Sequence, residues 1–213
     1  MSKLNIEPIV CGNMFSQISY LCFDEKCMFM IDCGCSFEAL NDAIFRCGLQ
    51  NRVLDGILLT HCHFDHIMGL KEVWDRYKCD VYMAEGCEDF IYDPIRNASA
   101  YFGGFKSGEI KSESIKTFIS NDVLRFGDIE INVIRTEGHS ICSTCFKVGE
   151  YLFTGDTVLE GTIGRTDLFG GNFNKLKNSL KELVKLSYKI AYPGHGKPMD
   201  KALIDGIVNM YTN

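Results

Sequence analysis

The segment Thr60-His61-Cys62-His63-Phe64-Asp65-His66 places three imidazoles and one carboxylate within six residues, His61 to His66. Imidazole nitrogen and carboxylate oxygen ligate Zn²⁺, Fe²⁺ or Mn²⁺ at roughly 2.0 to 2.2 Å, so the cluster points to a divalent metal and leaves its identity open. The chain has five histidines, and the other two, His139 and His195, sit in the glycine-flanked turns Gly138-His139 and Gly194-His195-Gly196. No histidine is left over for ordinary packing. Asp156 follows the strand-like Tyr151-Leu152-Phe153 and adds a carboxylate at a strand end. A structural zinc site is normally closed by four ligands and rich in cysteine, whereas these donors are seven and all N or O, which argues against a closed structural site.

Such ligands need strands that stop where they begin. Residues 53–59 read as a strand buried on both faces and ending at the cluster, the end at which α/β sheets carry their chemistry. Upstream, residues 6–11, 16–23 and 27–31 read as three strands of an antiparallel opening, closed by Asp32-Cys33-Gly34. Residues 37–47 carry apolar Leu40, Ala43, Ile44 and Cys47 at helical spacing, with Ser36 as N-cap and Gly48 as the stop. A second helix over 67–77 buries Leu70, Val73, Trp74 and Tyr77, and a strand follows over 80–84. Residues 93–116 lose periodicity. Their Tyr101-Phe102-Gly103-Gly104-Phe105 reads either as a lid over the site or as a surface connection whose aromatics tuck into the core. The second half gives strands over 123–126, 129–134, 144–148, 151–153 and 189–192, and helices over 174–186 and 201–210. No repeat or linker divides the chain.

At 213 residues and 46% hydrophobic content, residues 1–213 read as one domain with a sizeable core. The first residues have no apolar signal-peptide region, and no apolar run approaches the ~20 residues of a membrane span, so the sequence reads as soluble and cytoplasmic, without a membrane partner. Eleven cysteines are an odd number, and many lie inside apolar runs, which favours reduced, buried thiols over a disulfide scaffold. Cys142 and Cys145 form a C-x-x-C, but on a strand the two side chains point to opposite faces, which argues against a chelating or redox pair. The net charge of -6 comes without a basic stripe, which argues against nucleic acid. Lys175, Lys177, Lys181 and Lys185 alternate with Leu176, Leu180, Leu183 and Val184 and read as the wet face of a helix.

Together, H-x-H-x-D-H at 61–66, Gly138-His139, Gly155-Asp156 and Gly194-His195-Gly196 resemble, in order, the pattern of the metallo-β-lactamase-fold hydrolases. The segment Gly164-Arg165-Thr166-Asp167-Leu168-Phe169-Gly170-Gly171, with the late Gly-His-Gly, is similar to the small glyoxalase II-like (hydroxyacylglutathione hydrolase-like) branch. The resemblance implies an α/β fold, a four-layer αβ/βα sandwich of two mixed β-sheets flanked by helices, with the metals at one edge. It also implies two divalent metal ions, zinc first and iron or manganese as alternatives: His61, His63 and His139 on one, Asp65, His66 and His195 on the other, and Asp156 bridging. A metal-bridging hydroxide then attacks a thioester of the hydroxyacylglutathione type, with Asp65 and Asp156 as catalytic carboxylates and Asp65 orienting the nucleophile or shuttling its proton. The partner expected is a small-molecule thioester or ester, and the chain a monomer or homodimer. Arg165 either pairs with Asp167 to shape its loop or faces an anionic substrate group.

Two departures bear on that reading. Only 18 residues follow His195, where full-length glyoxalase II enzymes carry a helical domain that grips glutathione, so a smaller thiol carrier or a broader ester fits as well. Ser140-Ile141-Cys142 replaces the usual Thr-Pro-Gly and alters one pocket wall. The alternative within the same fold is a persulfide dioxygenase, which shares H-x-H-x-D-H and G-R-T-D but uses one Fe²⁺ held by two histidines and an aspartate. The late Gly194-His195-Gly196 favours the hydrolase.

Overall fold

Two six-stranded mixed sheets stack face to face in the computed structural model, which describes residues 4–12 and 15–212. The first holds β1 (Asn5–Val10), β2 (Ile18–Phe23), β3 (Met28–Ile31), β4 (Gly56–Leu58), β5 (Asp80–Ala84) and β6 (Ile115–Phe118) in sequence order. β1 to β3 pair antiparallel and β3 to β6 parallel. The second holds β7 (Val123–Phe126), β8 (Ile129–Arg135), β9 (Thr144–Val148) and β10 (Tyr151–Gly155) as an antiparallel meander. After the small hairpin of β11 (Val158–Leu159) and β12 (Thr162–Ile163), β13 (Ile190–Pro193) joins parallel to β10, and β14 (Met199–Asp200) closes that edge.

Alternation along the strands decides what each face covers. On the second sheet, Ile131, Val133, Phe146 and Phe153 turn inward, and aromatic pairs cross the gap: Tyr20 with Phe153 at 5.5 Å, Phe29 with Phe126 at 5.0 Å and Phe118 with Phe146 at 5.5 Å. Their neighbours Cys145, Leu152 and Ala191 turn outward, under α4 (Phe173–Leu183) and α5 (Lys201–Thr212). The helices α1 (Phe37–Arg46) and α3 (Leu70–Tyr77) cover the first sheet with Leu40, Ala43, Ile44, Leu70, Val73 and Trp74. Four layers, αβ/βα, result, as the resemblance implies.

The predicted elements recur with shifted limits. The strand expected over 53–59 is confined to β4: Asp55 is tied to Met28 through both its backbone N–H (2.7 Å) and its carboxylate (2.8 Å), and Val53 is 72% exposed. The helix expected over 67–77 is split into α2 (Phe64–Ile67) and α3, because the Gly69 backbone packs on the Cys35 carbonyl and its N–H bonds Cys33 O at 3.0 Å. Tyr77 is half-buried rather than buried. Ser36 caps α1 as read, accepting from Ala39 N at 3.2 Å, while Asn172, not foreseen, caps α4. All eleven cysteines are free thiols, ten of them buried, and Cys142 and Cys145 point into different core clusters, although Cys142 precedes β9 rather than lying on it.

Candidate metal centre

Five strands end at one edge of the sandwich. β3 and β4 run parallel in the first sheet, and β8, β10 and β13 run in a common direction in the second, so their C-terminal ends lie together. After β4 come His61, His63, Asp65 and His66, after β8 His139, after β10 Asp156 and after β13 His195. All seven donors singled out in the sequence converge there, and they form the groupings His61–His63–His139, His61–His66–Asp156 and Asp65–His66–His195.

Hydrogen bonds fix which nitrogen four of the five imidazoles offer. His139 Nδ1–H donates to the Arg165 carbonyl at 2.8 Å, and His195 Nδ1–H to the Phe15 carbonyl at 2.9 Å. His66 Nδ1–H donates to Asp32 Oδ2 at 2.8 Å. The Thr60 hydroxyl donates to the same carboxylate at 2.8 Å and so accepts from His61 Nδ1–H at 3.1 Å. Each of these rings therefore turns its Nε2 inward. His61 Nε2 and His139 Nε2 stand 3.2 Å apart, and His63 Nδ1 lies 2.9 Å from His139 Nε2. His66 Nε2 and Asp156 Oδ1, 3.3 Å apart, are buried with no hydrogen-bond partner. Imidazole nitrogens and carboxylate oxygens converging this closely in a buried site fit a divalent metal.

Charge is distributed unevenly over this floor. Burial, reinforced by the neighbouring imidazoles, pushes His61 well below the ordinary imidazole range and His63 to about 3, so both are neutral ligands in the metal-free chain. His66 is raised well above that range: burial opposes its charge, but Asp156, Asp32 and Asp65 overcome it. His195 is raised too, against burial, by Asp65 at 3.2 Å and by Asp156. Burial works against the charge of Asp65 and Asp156, yet His66 and His195 hold both carboxyls below the usual range. Asp156 Oδ2 lies 3.7 Å from His139 Nε2 and 3.5 Å from His195 Nε2, between the two groups.

Two residues of the site, Asp32 and Gln17, were not foreseen, whereas Arg165 was. Asp32, read only as the close of a strand, is the shared anchor of His66 and, through Thr60, of His61. Its signal was a carboxylate at the end of the wholly apolar Met28–Ile31, next to the strand that ends at the cluster. Gln17, fully buried, accepts from Ser19 Oγ and Cys11 Sγ, sets its Nε2 3.4 Å from His66 Nδ1 and forms an isolated bridge with His195. Arg165 lines the cleft and is also gripped by Asp167, Nε to Oδ1 and Nη2 to Oδ2 both at 2.7 Å.

The sequence profile of the metallo-beta-lactamase superfamily matches residues 12–195. The chain belongs to the metallo-β-lactamase superfamily. Among superfamily relatives, the probable metallo-hydrolase YqgX of Bacillus subtilis (strain 168) is 32% identical over 194 residues, 89% of this chain and 89% of its own. The crystal structure of the BLEG-1 B3 metallo-β-lactamase superposes with a TM-score of 0.86 at 27% identity, covering 98% of this chain and 100% of that one. TTHA1623, solved in a di-iron-bound form, gives 0.80 at 25% identity over 94% of this chain and 98% of that one. The chain matches those folds along almost its whole length.

Proposed function

We propose that the protein is a metal-dependent hydrolase of thioesters or esters, with hydroxyacylglutathione thioesters as the reference substrate class. The observation that carries this reading is the set of inward-facing Nε2 atoms, oriented by their Nδ1–H bonds, at the floor of an open cleft of about 230 Å³. His61, His63 and His139 would hold one divalent cation, Asp65, His66 and His195 a second, and Asp156 both. Zinc suits this set, as do iron and manganese. When bound, such a pair lowers the pKa of a water toward about 7 and polarises an acyl oxygen.

The chain's own residues supply the rest. Asp65, ionised and with Oδ2 3.2 Å from His195 Nε2, orients a water that donates to it and takes up its proton as the acyl carbon is attacked. The C–S or C–O bond breaks, and the proton passes to the departing sulfur or oxygen. Phe64, Phe102 and Leu168 border the cleft and restrict water at the reacting carbon. A small-molecule substrate, rather than nucleic acid, suits an acidic chain with this cleft. No helix among the described residues is long and apolar enough to cross a membrane.

Metal analysis of anaerobically purified protein, with S-lactoylglutathione hydrolysis assayed on the same sample, tests this reading. Two metals per chain with thioester cleavage are expected. One iron per chain, no hydrolysis and persulfide-dependent oxygen uptake would instead establish the dioxygenase.

A further inference from the structure

Three phenylalanines far apart in the sequence meet at the rim of the metal cleft. Phe15 stands edge-on to Phe64 at 4.9 Å and to Phe102 at 5.5 Å, and Phe64 and Phe102 lie 5.4 Å apart with planes 30° from parallel. Phe64 is fixed by its place between the ligands His63 and Asp65, and Phe15 by the loop whose carbonyl anchors His195. Phe102 ends a short 3-10 turn, Ser99–Phe102, that lies between left-handed Ala98 and Gly103, and it keeps 44% of its surface exposed. Ala98 and Leu168 extend the apolar lining.

The polar character of the cleft is confined to its floor. Among the described lining residues, Arg165 is the one Lys or Arg side chain, and Asp167 already occupies it through two nitrogens. A volume of about 230 Å³ is below the ~300 Å³ at which pockets for drug-sized ligands begin, so the cleft takes one compact arm rather than a whole charged tripeptide conjugate.

We infer, resting on the hydrolase reading, that the cleft selects thioesters and esters with an uncharged apolar acyl group, aromatic above all, seated against Phe15, Phe64 and Phe102, and that it does not read the carboxylates of a peptide thiol carrier. An aromatic ring can complete the edge-to-face cluster, whereas a carboxylate must compete with Asp167 for the Arg165 guanidinium.

Non-hydrolysable thioethers separate this inference from the hydrolase reading. Binding of the S-phenethyl and S-ethyl thioethers of N-acetylcysteamine, and of S-phenethylglutathione, would be measured by calorimetry on the metal-loaded protein. The phenethyl compound is expected to bind about tenfold tighter than the ethyl one, and its glutathione counterpart no tighter. Phe102→Ala, at a half-exposed position, should remove most of that tenfold preference and leave the ethyl compound's affinity within about twofold. Asp167→Asn, which frees Arg165, should raise affinity for the glutathione conjugate alone. Equal binding of phenethyl and ethyl, no binding of either, an unchanged preference in Phe102→Ala, or much tighter binding of the glutathione conjugate to the unaltered protein would each overturn the inference. Aromatic preference in binding without cleavage of any thioester or ester would overturn the hydrolase reading and leave the aromatic seat standing.

Discussion

The all-imidazole group of His61, His63 and His139 and the mixed group of Asp65, His66 and His195 face each other across Asp156, and they differ in what each must give up to hold a cation. In the first, His61 and His63 are already neutral, because burial and like neighbours disfavour their protonated forms. In the second, nearby carboxylates favour the protonated forms of His66 and His195, so a metal competes with protons there. The support differs from ligand to ligand as well. His66 leans on a buried carboxylate, whereas His139 and His195 lean on backbone carbonyls. A carboxylate anchor raises ligand basicity but ties the group to pH, and a carbonyl anchor fixes orientation alone.

Asp156 is the element the two groups share, and its loss should have the largest effect. Asp156→Ala is expected to lower kcat/KM by at least about 1000-fold and to reduce bound metal; normal metal content with retained turnover would remove Asp156 from between the groups. Asp32→Asn divides the groups. Asparagine tolerates the left-handed backbone at that position (φ 57°), yet it deprives His66 of its charged anchor. Retention of the second cation should weaken about 10- to 100-fold, with a smaller loss at the first, as competition with a chromophoric chelator would reveal. Equal weakening of both would abolish the distinction.

The smallest expected effect is in pH dependence. Because the pKa values of His66 and His195 are raised, both imidazoles are protonated below those raised values in the metal-free chain, and metal uptake by their group releases protons. Affinity for that cation should therefore climb with pH, by up to about tenfold per unit for each proton displaced, and level off once pH exceeds the raised values. His61 and His63, lowered instead, add nothing to that slope near neutrality. Calorimetric titration with zinc in buffers of different ionisation enthalpy counts the protons, and a matching release from His61 and His63 would contradict the assignment.

Most of the floor was legible in the sequence, since histidine and aspartate at strand ends after apolar runs announce themselves through residue type alone. Its supports were less so. Asp32 looks like any turn residue until the parallel pairing of β3 with β4 brings it beside Thr60. Gln17 carries no signal in composition, because its role depends on the crossing of the two sheets. The phenylalanine cluster was hidden for the same reason: positions 15, 64 and 102 share no periodicity, and only Phe102 stood out, as part of a glycine-rich aromatic run with two readings. That run satisfies both in part, with Phe102 at the cleft and Phe105 packed against the core. Strand limits erred where side chains replaced ladder bonds, as at Asp55, and helix limits where a backbone approach required glycine, as at Gly69.

The bond from His195 to the Phe15 carbonyl joins residues 180 apart, and the Tyr20 hydroxyl bonds the Pro193 carbonyl across 173. Closing so long a loop is slow and contributes nothing until both sheets have formed. The mixed cation group is thus expected to complete late in folding, since the His61–His66 cluster is local in sequence and His195 is not. Cation capture at His195 marks the moment at which the two ends of the polypeptide have found each other.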